Sequence, residues 1–126
     1  KLHVEIDKTL ELLHSSPLYV REILQNFITN AIKYTEEGSV LVSAQQATDG
    51  VTFSVHDTGI GIGKADQDKV FNKFFRSEDF KTRQHNGTGL GLYVTAKLSR
   101  IIGAKISLDS ELEKGSTFTI YIPNIK

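Results

Sequence analysis

The stretch SPLYVREILQNFITNAIKYT, residues 16–35, has the pattern of an amphipathic helix. Ser16 can cap the first turn and Pro17 suits the first helical position, so we expect a helix from about residue 18 to 35. At about 100° per residue, the apolar side chains fall on one half of the helical wheel: Val20, Ile23, Leu24, Phe27, Ile28, Ala31 and Ile32. The other half is polar and carries Glu22, Gln25, Asn26, Thr29, Asn30 and Lys33. One face is therefore expected in a core and the other open to solvent or a ligand.

Strand patterns lie on both sides of this helix. Residues 2–6 alternate apolar and polar side chains, and residues 10–13 are a second short strand candidate. Downstream, two strands over 40–47 and 51–55 are expected to form a hairpin that turns at Thr48-Asp49-Gly50. These strands would form the sheet that the helix covers.

The second half of the chain repeats the order of helix and hairpin. A short helical stretch is expected near 65–72, and a longer helix over about 89–102 that Gly103 stops. Strands over 105–110 and 116–122 would close the chain as a hairpin around Glu113-Lys114-Gly115. This order predicts an α+β fold, a sheet with helices on one face.

Composition restricts the class of protein. The chain has 126 residues, 39% of them hydrophobic and 24% charged, which suits one soluble domain over 1–126. Fifteen basic and fifteen acidic residues cancel, which argues against a broad surface for nucleic acid or an acidic membrane. The sequence lacks cysteine, which excludes disulfides and fits a reducing compartment. Neither a membrane-spanning apolar run nor a signal-peptide pattern is present.

Asn26, Asn30 and Lys33 share the polar face of the first helix, because residues four apart lie one turn above each other. An amide oxygen is a hard ligand that suits Mg²⁺, and a lysine can neutralise phosphate. A solvated helix face explains the same pattern, so these residues alone do not decide between the two.

Two glycine-rich segments are candidate nucleotide contacts. Asp57 opens the first, DTGIGIG over 57–63, where its carboxylate can accept a hydrogen bond from an exocyclic amine such as that of adenine. The segment does not fit a P-loop, because Ala65 stands where a hydroxyl should contact Mg²⁺. The second, GTGLGL over 87–92, runs into the longer helix, and the free N–H groups at the start of that helix can bind phosphate. A plain turn and a hinge are the alternatives.

Other residue patterns favour packing over chemistry. Phe71, Phe74 and Phe75 are expected to anchor the polar segment to the core, and Arg76 beside them is a candidate for contact with phosphate or a surface ion pair. The four histidines (His3, His14, His56 and His85) lack the spacing of a zinc site. No serine or cysteine stands in a nucleophile elbow.

Taken together and in order, these segments resemble the ATP-binding catalytic domain of bacterial sensor histidine kinases, within the GHKL superfamily. Residues 26–35 resemble its N box, 57–63 its first glycine box, 71–76 its F box and 87–92 its second glycine box. The resemblance spans residues 18–122. It implies the Bergerat fold, a two-layer α/β sandwich with a mixed, mostly antiparallel sheet, and a mobile ATP lid over about 64–88.

The resemblance also implies roles for single residues, with ATP and Mg²⁺ as the cofactors. Asn30 would coordinate Mg²⁺ with Asn26 beside it, Lys33 and Arg76 would act on the phosphates, and Tyr34 would pack on the adenine side. Asp57 would bind the adenine amine, with Gly59, Gly61 and Ile62 as the wall of that pocket. The phosphates would be held by backbone groups of the second glycine box: Gly87, Thr88, Gly89, Leu90 and Gly91.

The resemblance favours a kinase over a hydrolase, since hydrolytic relatives carry a glutamate base at the position of Asn26. It implies transfer of the γ-phosphoryl group to a histidine on a separate dimerisation domain, and indirectly to a response regulator. The phosphoacceptor pattern has only a partial match at 14–18, so the chain alone is expected to be monomeric and inactive in autophosphorylation. A cytoplasmic location follows, with any membrane anchor elsewhere. A non-enzymatic nucleotide-binding module and a hydrolytic ATPase are the alternatives.

Overall fold

A computed structural model of the chain describes residues 2–6, 13, 15–35, 37–67, 69, 71 and 91–124. The five strands are β1 (Leu2–Ile6), β2 (Val40–Ala47), β3 (Gly50–Asp57), β4 (Lys105–Glu111) and β5 (Gly115–Pro123). The helices are α1 (Pro17–Lys33), α2 (Lys64–Gln67) and α3 (Gly91–Ile101).

The strands form one sheet in the order β1-β2-β3-β5-β4. Strand β1 runs parallel to β2, and the three other neighbouring pairs are antiparallel. The mixed, mostly antiparallel sheet and the α+β class are thus confirmed. Strand β3 is the third of the five strands, and its last residue, Asp57, is paired with a neighbouring strand on each side.

Helices α1 and α3 pack beside each other on one face of the sheet. The buried side of α1, with Ile23, Phe27 and Ala31, lies in one core cluster with Val55 of β3 and Phe118 of β5. The rings of Phe27 and Phe118 stack at 5.2 Å between centroids. Periodicity therefore identified the core side of α1 correctly, although Ile32, assigned to that side, is 53% exposed.

Local signals set the ends of several elements. The Ser16 hydroxyl accepts a hydrogen bond from the Tyr19 N–H at 3.4 Å, which is the expected N-cap. Asp49 has φ +57° in the two-residue turn between β2 and β3, as a tight hairpin requires. At the other end of the chain, Gly103 has φ +71° after α3, which confirms it as the stop signal.

Several predicted bounds were wrong. Strand β3 extends through Asp57, because both of its neighbours continue to pair with it there. The short helix ends at Gln67, and neither Lys69 nor Phe71 is helical. Phe71 packs edge-on against Phe118 at 6.1 Å between centroids, as expected of a core anchor. Phe74, Phe75, His14 and the proposed strand over 10–13, apart from residue 13, lie outside the described residues.

Among the described ranges, no helix combines the length and apolar character that crossing a bilayer requires.

Candidate nucleotide site

Asp57, the last residue of β3, carries a buried carboxylate. The residue is 3% exposed and pairs with Val40 on one side and Ser116 on the other. Its Oδ1 accepts the N–H of Gly59 at 2.9 Å, and the carboxylate also accepts a hydrogen bond from the backbone of Ser116. A carboxylate offers about four acceptor sites. Two backbone donors therefore leave acceptor capacity for an amine brought by a ligand.

Burial raises the pKa of Asp57 above its ordinary value. Hydrogen bonds from Gly59 and Ser116, together with the charge of His56, act in the opposite direction without cancelling the effect of burial. The folded chain therefore holds a carboxylate that is costly to ionise. A ligand that donates hydrogen bonds to the ionised form would relieve that cost. A buried carboxylate with a raised pKa is typical of a binding site rather than of a structural ion pair.

This shift gives a pH dependence of stability. Because the pKa of Asp57 is higher folded than unfolded, the folded state holds the extra proton between the two values, and the free energy of unfolding falls as pH rises through that window. Asp57→Asn removes the titration. We therefore expect the stability of the asparagine variant, relative to the parent, to increase as pH rises above about 4. Urea unfolding of both proteins from acidic to neutral pH measures this, and a relative stability that falls instead would contradict it.

The glycines after Asp57 pack against backbone. A Cβ on Gly59 would lie 2.2 Å from the carbonyl oxygen of Tyr34, and one on Gly61 would lie 2.0 Å from that of Glu111. Gly61 also has φ +73°, a conformation that side chains disfavour. Close contact between protein segments therefore already requires glycine at both positions, apart from any contact with a ligand.

Hydrogen bonds attach this loop to its surroundings. The N–H of Ile60 donates to Tyr34 O at 3.2 Å, and the N–H of Glu113 donates to Ile60 O at 2.7 Å. The loop thus joins the C-terminal end of α1 to the turn between β4 and β5. The structure in this way brings Tyr34 next to the loop that carries Gly59, Gly61 and Ile62.

Two residues that sequence reasoning missed hold Ile62. Its N–H donates to the hydroxyl of Ser110 at 2.8 Å, and its carbonyl accepts from Gln67 Nε2 at 2.8 Å. The Ser110 hydroxyl also donates to Gly115 O at 2.9 Å. Ser110 lies 48 residues from Ile62 along the chain, and no local pattern pairs them.

The polar face of α1 carries the other described candidates. Asn26 and Asn30 are half-buried, whereas Lys33 is exposed. The Lys33 ammonium stands 5.8 Å from the centre of the Tyr34 ring, in cation–π geometry. Partial burial lowers the pKa of Lys33, and burial raises the pKa of Tyr34. The lysine and the tyrosine thus form a neighbouring cationic and aromatic surface beside the Asp57 loop.

Asn26 is linked to the other helix. Its Nδ2 donates to the hydroxyl of Thr95 on α3 at 3.1 Å, across 69 residues of sequence. Thr95 is fully buried, as is Ser99 one turn later. Sequence reasoning did not identify Thr95, although a hydroxyl at four-residue spacing on the apolar side of the helix was a signal for it.

All but one of the remaining predicted site residues lie outside the described part of the chain. They are Arg76, Gly87, Thr88, Gly89 and Leu90, whereas Gly91 is the first residue of α3. Within the described ranges, no group of three histidine, aspartate or glutamate side chains could hold a metal ion. The side-chain amides of Asn26 and Asn30 fit Mg²⁺ only as part of a complex with ATP. Mg²⁺ is usually bound through few protein ligands together with waters and substrate phosphates.

Comparison with known proteins connects this geometry to a family. The family model described as "Histidine kinase-, DNA gyrase B-, and HSP90-like ATPase" matches residues 15–126. The circadian input-output histidine kinase CikA of Synechococcus elongatus is 37% identical over 97% of this chain, which corresponds to 16% of that kinase. The signal transduction histidine-protein kinase BarA of Escherichia coli is 38% identical over 86% of the chain and 13% of its own length.

Solved structures of histidine kinases have the same fold as this chain. Full-length ShkA in complex with AMPPNP superposes with a TM-score of 0.83 at 32% identity, over 98% of this chain and 25% of that one. The nucleotide-free catalytic domain of the histidine kinase ThkA gives 0.81 at 26% identity, over 98% of this chain and 79% of that one. The fold is therefore that of histidine kinase catalytic domains, which confirms the Bergerat architecture. The chain spans less than a fifth of the curated relatives quoted above.

Proposed function

The chain belongs to the histidine kinase-, DNA gyrase B- and HSP90-like ATPase family, and from that membership we propose that it binds Mg·ATP and donates the γ-phosphoryl group to a histidine on a separate dimerisation domain. This is the activity of the catalytic half of a two-component kinase. A response regulator would receive the phosphoryl group afterwards. The observation that carries the proposal is the carboxylate of Asp57, which is 3% exposed, sits at the end of the central strand and keeps acceptor capacity for an amine.

The adenine end of the site is the better supported part. Asp57 would accept a hydrogen bond from the exocyclic amine of adenine, with Gly59, Gly61 and Ile62 forming the wall beside it. The fixed position of this loop, tied to Tyr34 and Glu113 by backbone hydrogen bonds, favours a preformed pocket. Tyr34 would pack on the same side of the base. A buried carboxylate of this kind selects for adenine because guanine presents a carbonyl oxygen at the corresponding position.

The phosphate end would be formed by α1 and the start of α3. Asn30 would coordinate Mg²⁺ with Asn26 one turn away, and Lys33 would neutralise phosphate charge. Backbone groups of Gly87, Thr88, Gly89, Leu90 and Gly91 would hold the phosphates, with Arg76 and a lid over 64–88 closing the site. Mg²⁺ held there would supply neutralisation of the phosphate charge.

Transfer is favoured over hydrolysis by the identity of residue 26. An amide does not accept a proton from water near neutral pH, so general-base hydrolysis has no agent there. The hydrogen bond that Asn26 donates to Thr95 further supports a positioning role for this side chain. Phosphoryl transfer needs little more than positioning and charge stabilisation, and both are available from α1.

The partner and location follow from the same proposal. The chain would act on the phosphoacceptor domain of its own parent kinase, in the cytoplasm, and would be monomeric and inactive in autophosphorylation when separated from that domain. Nucleic acid and direct membrane contact are not expected, since the formal net charge is zero.

The direct test mixes the chain with a histidine-bearing dimerisation domain and γ-labelled ATP. We expect acid-labile label on the histidine domain, and none when that domain's histidine is replaced by glutamine. Steady phosphate release by the chain alone, with no label on the histidine, would support a hydrolytic ATPase instead. ATP binding without transfer or release would support a nucleotide-binding module and contradict the kinase proposal.

A further inference from the structure

The interface between α1 and α3 holds a buried polar contact. Thr95 is 0% exposed, and its hydroxyl accepts a hydrogen bond from Nδ2 of Asn26 at 3.1 Å. Thr95 lies one turn after Gly91, the first residue of α3. This contact therefore joins the polar face of α1 to the first part of the helix that follows the second glycine-rich segment.

The bond restricts the orientation of the Asn26 side chain. A carboxamide is planar, so directing its nitrogen at Thr95 also sets the direction of its oxygen. Valine has the shape of threonine but cannot accept the hydrogen bond. The hydrogen bond to Thr95 therefore constrains the rotation of the Asn26 carboxamide.

A second buried hydroxyl lies one turn further along α3. The Ser99 hydroxyl donates to the backbone carbonyl of Thr95 at 2.7 Å, a bond within the helix that does not involve the Thr95 side chain. The Ser99 hydroxyl stays on its own helix in this contact, whereas the Thr95 hydroxyl crosses to α1. Ser99 is therefore a matched control for Thr95. Both residues are buried on α3, but their hydroxyls have different hydrogen-bond partners.

We propose that Thr95 is a positioning residue of the nucleotide site, which orients the Asn26 carboxamide towards the Mg·phosphate end through the hydrogen bond between the two helices. This inference rests on the proposed function, since it assumes that Mg·ATP binds beside α1. It adds a residue outside all four recognised motifs. Through it, the helix that would hold the phosphates also sets the geometry of the side chain next to the metal.

The test is calorimetric titration of the chain with ATP, with and without Mg²⁺. The ratio of the two Kd values measures how much Mg²⁺ strengthens binding. We expect Thr95→Val to reduce that ratio about five- to tenfold, the size expected when one buried hydrogen bond is lost. Thr95→Ser, which keeps the hydroxyl, should recover most of the ratio. Ser99→Ala should lower the melting temperature while leaving the ratio unchanged.

A double-mutant cycle separates positioning from general destabilisation. If Thr95 acts through Asn26, Thr95→Val should have no further effect on the ratio once Asn26 is alanine. Additive effects of the two substitutions would overturn the inference. So would a Thr95→Val chain that melts earlier but keeps the parent's ratio.

The same titration distinguishes failure of the proposed function from failure of the role proposed for Thr95. If the parent chain bound no ATP at all, the proposed function would be wrong and the role of Thr95 would fall with it. If the parent binds Mg·ATP and Thr95→Val binds it equally well, only the role of Thr95 is wrong.

Discussion

Asp57→Asn is expected to weaken ATP binding by about 10- to 100-fold, the range expected for a buried hydrogen bond to a charged acceptor. The asparagine amide matches the carboxylate in shape but presents a donor group where the ligand amine also donates. Stability should change by less than about 1 kcal/mol at neutral pH, because the substitution removes the cost of a buried charge while weakening the backbone contacts that Gly59 and Ser116 make. Calorimetric titration and urea unfolding measure the two quantities separately.

A matched control is available on the other face of the sheet. Asp109, on β4, is exposed, so Asp109→Asn makes the same chemical change without touching a buried site. It should leave ATP affinity unchanged. The parent should also prefer ATP to GTP, and Asp57→Asn should reduce that preference because the discriminating acceptor is gone. Equal losses of affinity in both variants would mean that the base pocket lies elsewhere.

Gly61→Ala is expected to destabilise the chain by roughly 2–5 kcal/mol. Two costs add: a side chain at φ +73° costs about 1–2 kcal/mol, and its Cβ would stand 2.0 Å from the Glu111 carbonyl oxygen. Backbone cannot rotate away as a flexible side chain could, so the loop or the β4–β5 turn must shift. For a chain of this size, the melting temperature should fall by about 10 °C or more.

Gly63→Ala is the control for this prediction. Among the described residues, a Cβ there would meet only the Leu112 side chain, with its nearest atom at an ordinary contact distance of 3.5 Å. We expect a change in the free energy of unfolding of less than about 0.5 kcal/mol. Thermal unfolding of the two variants decides the matter. A similar loss at both positions would show that the loop needs glycine for flexibility, and the contact with Glu111 would not be the cause.

Local physical signals accounted for much of the fold. The 3.6-residue periodicity located α1 and its buried side, and a serine followed by proline located its start. Asp49 and Gly103, both at positive φ, marked a turn and a helix end. Each signal depends on residues that are close in sequence, which is why it could be interpreted without coordinates.

Long-range contacts were not accessible in this way. Nothing near residues 2–6 indicates that β1 pairs parallel with β2 at the edge of the sheet. The extension of β3 through Asp57 depends on partners in β2 and β5. Ile32 is apolar and lies on the predicted core side of α1, yet it is 53% exposed, which the spacing of apolar residues did not predict.

The residues of the candidate site divide in the same way, into those recognised from their own chemistry and those that depend on long-range contacts. Asp57 and the polar face of α1 could be identified from residue chemistry, and their roles remain proposals. The reason for glycine at position 61 could not be identified, because the opposing backbone belongs to β4. Thr95 was missed because Asn26, whose side chain donates to its hydroxyl, lies 69 residues away along the chain.

We propose that ATP binds between the polar face of α1 and the loop after Asp57. Two-dimensional amide NMR of the isotope-labelled chain during titration with Mg·ATP tests it most directly. We predict saturable shifts in the signals of Asn30, Gly59 and Gly61, with small changes on the outer face of the sheet at Thr52 and Ser107. Saturable shifts on the outer face, with these three signals unmoved, would contradict the account.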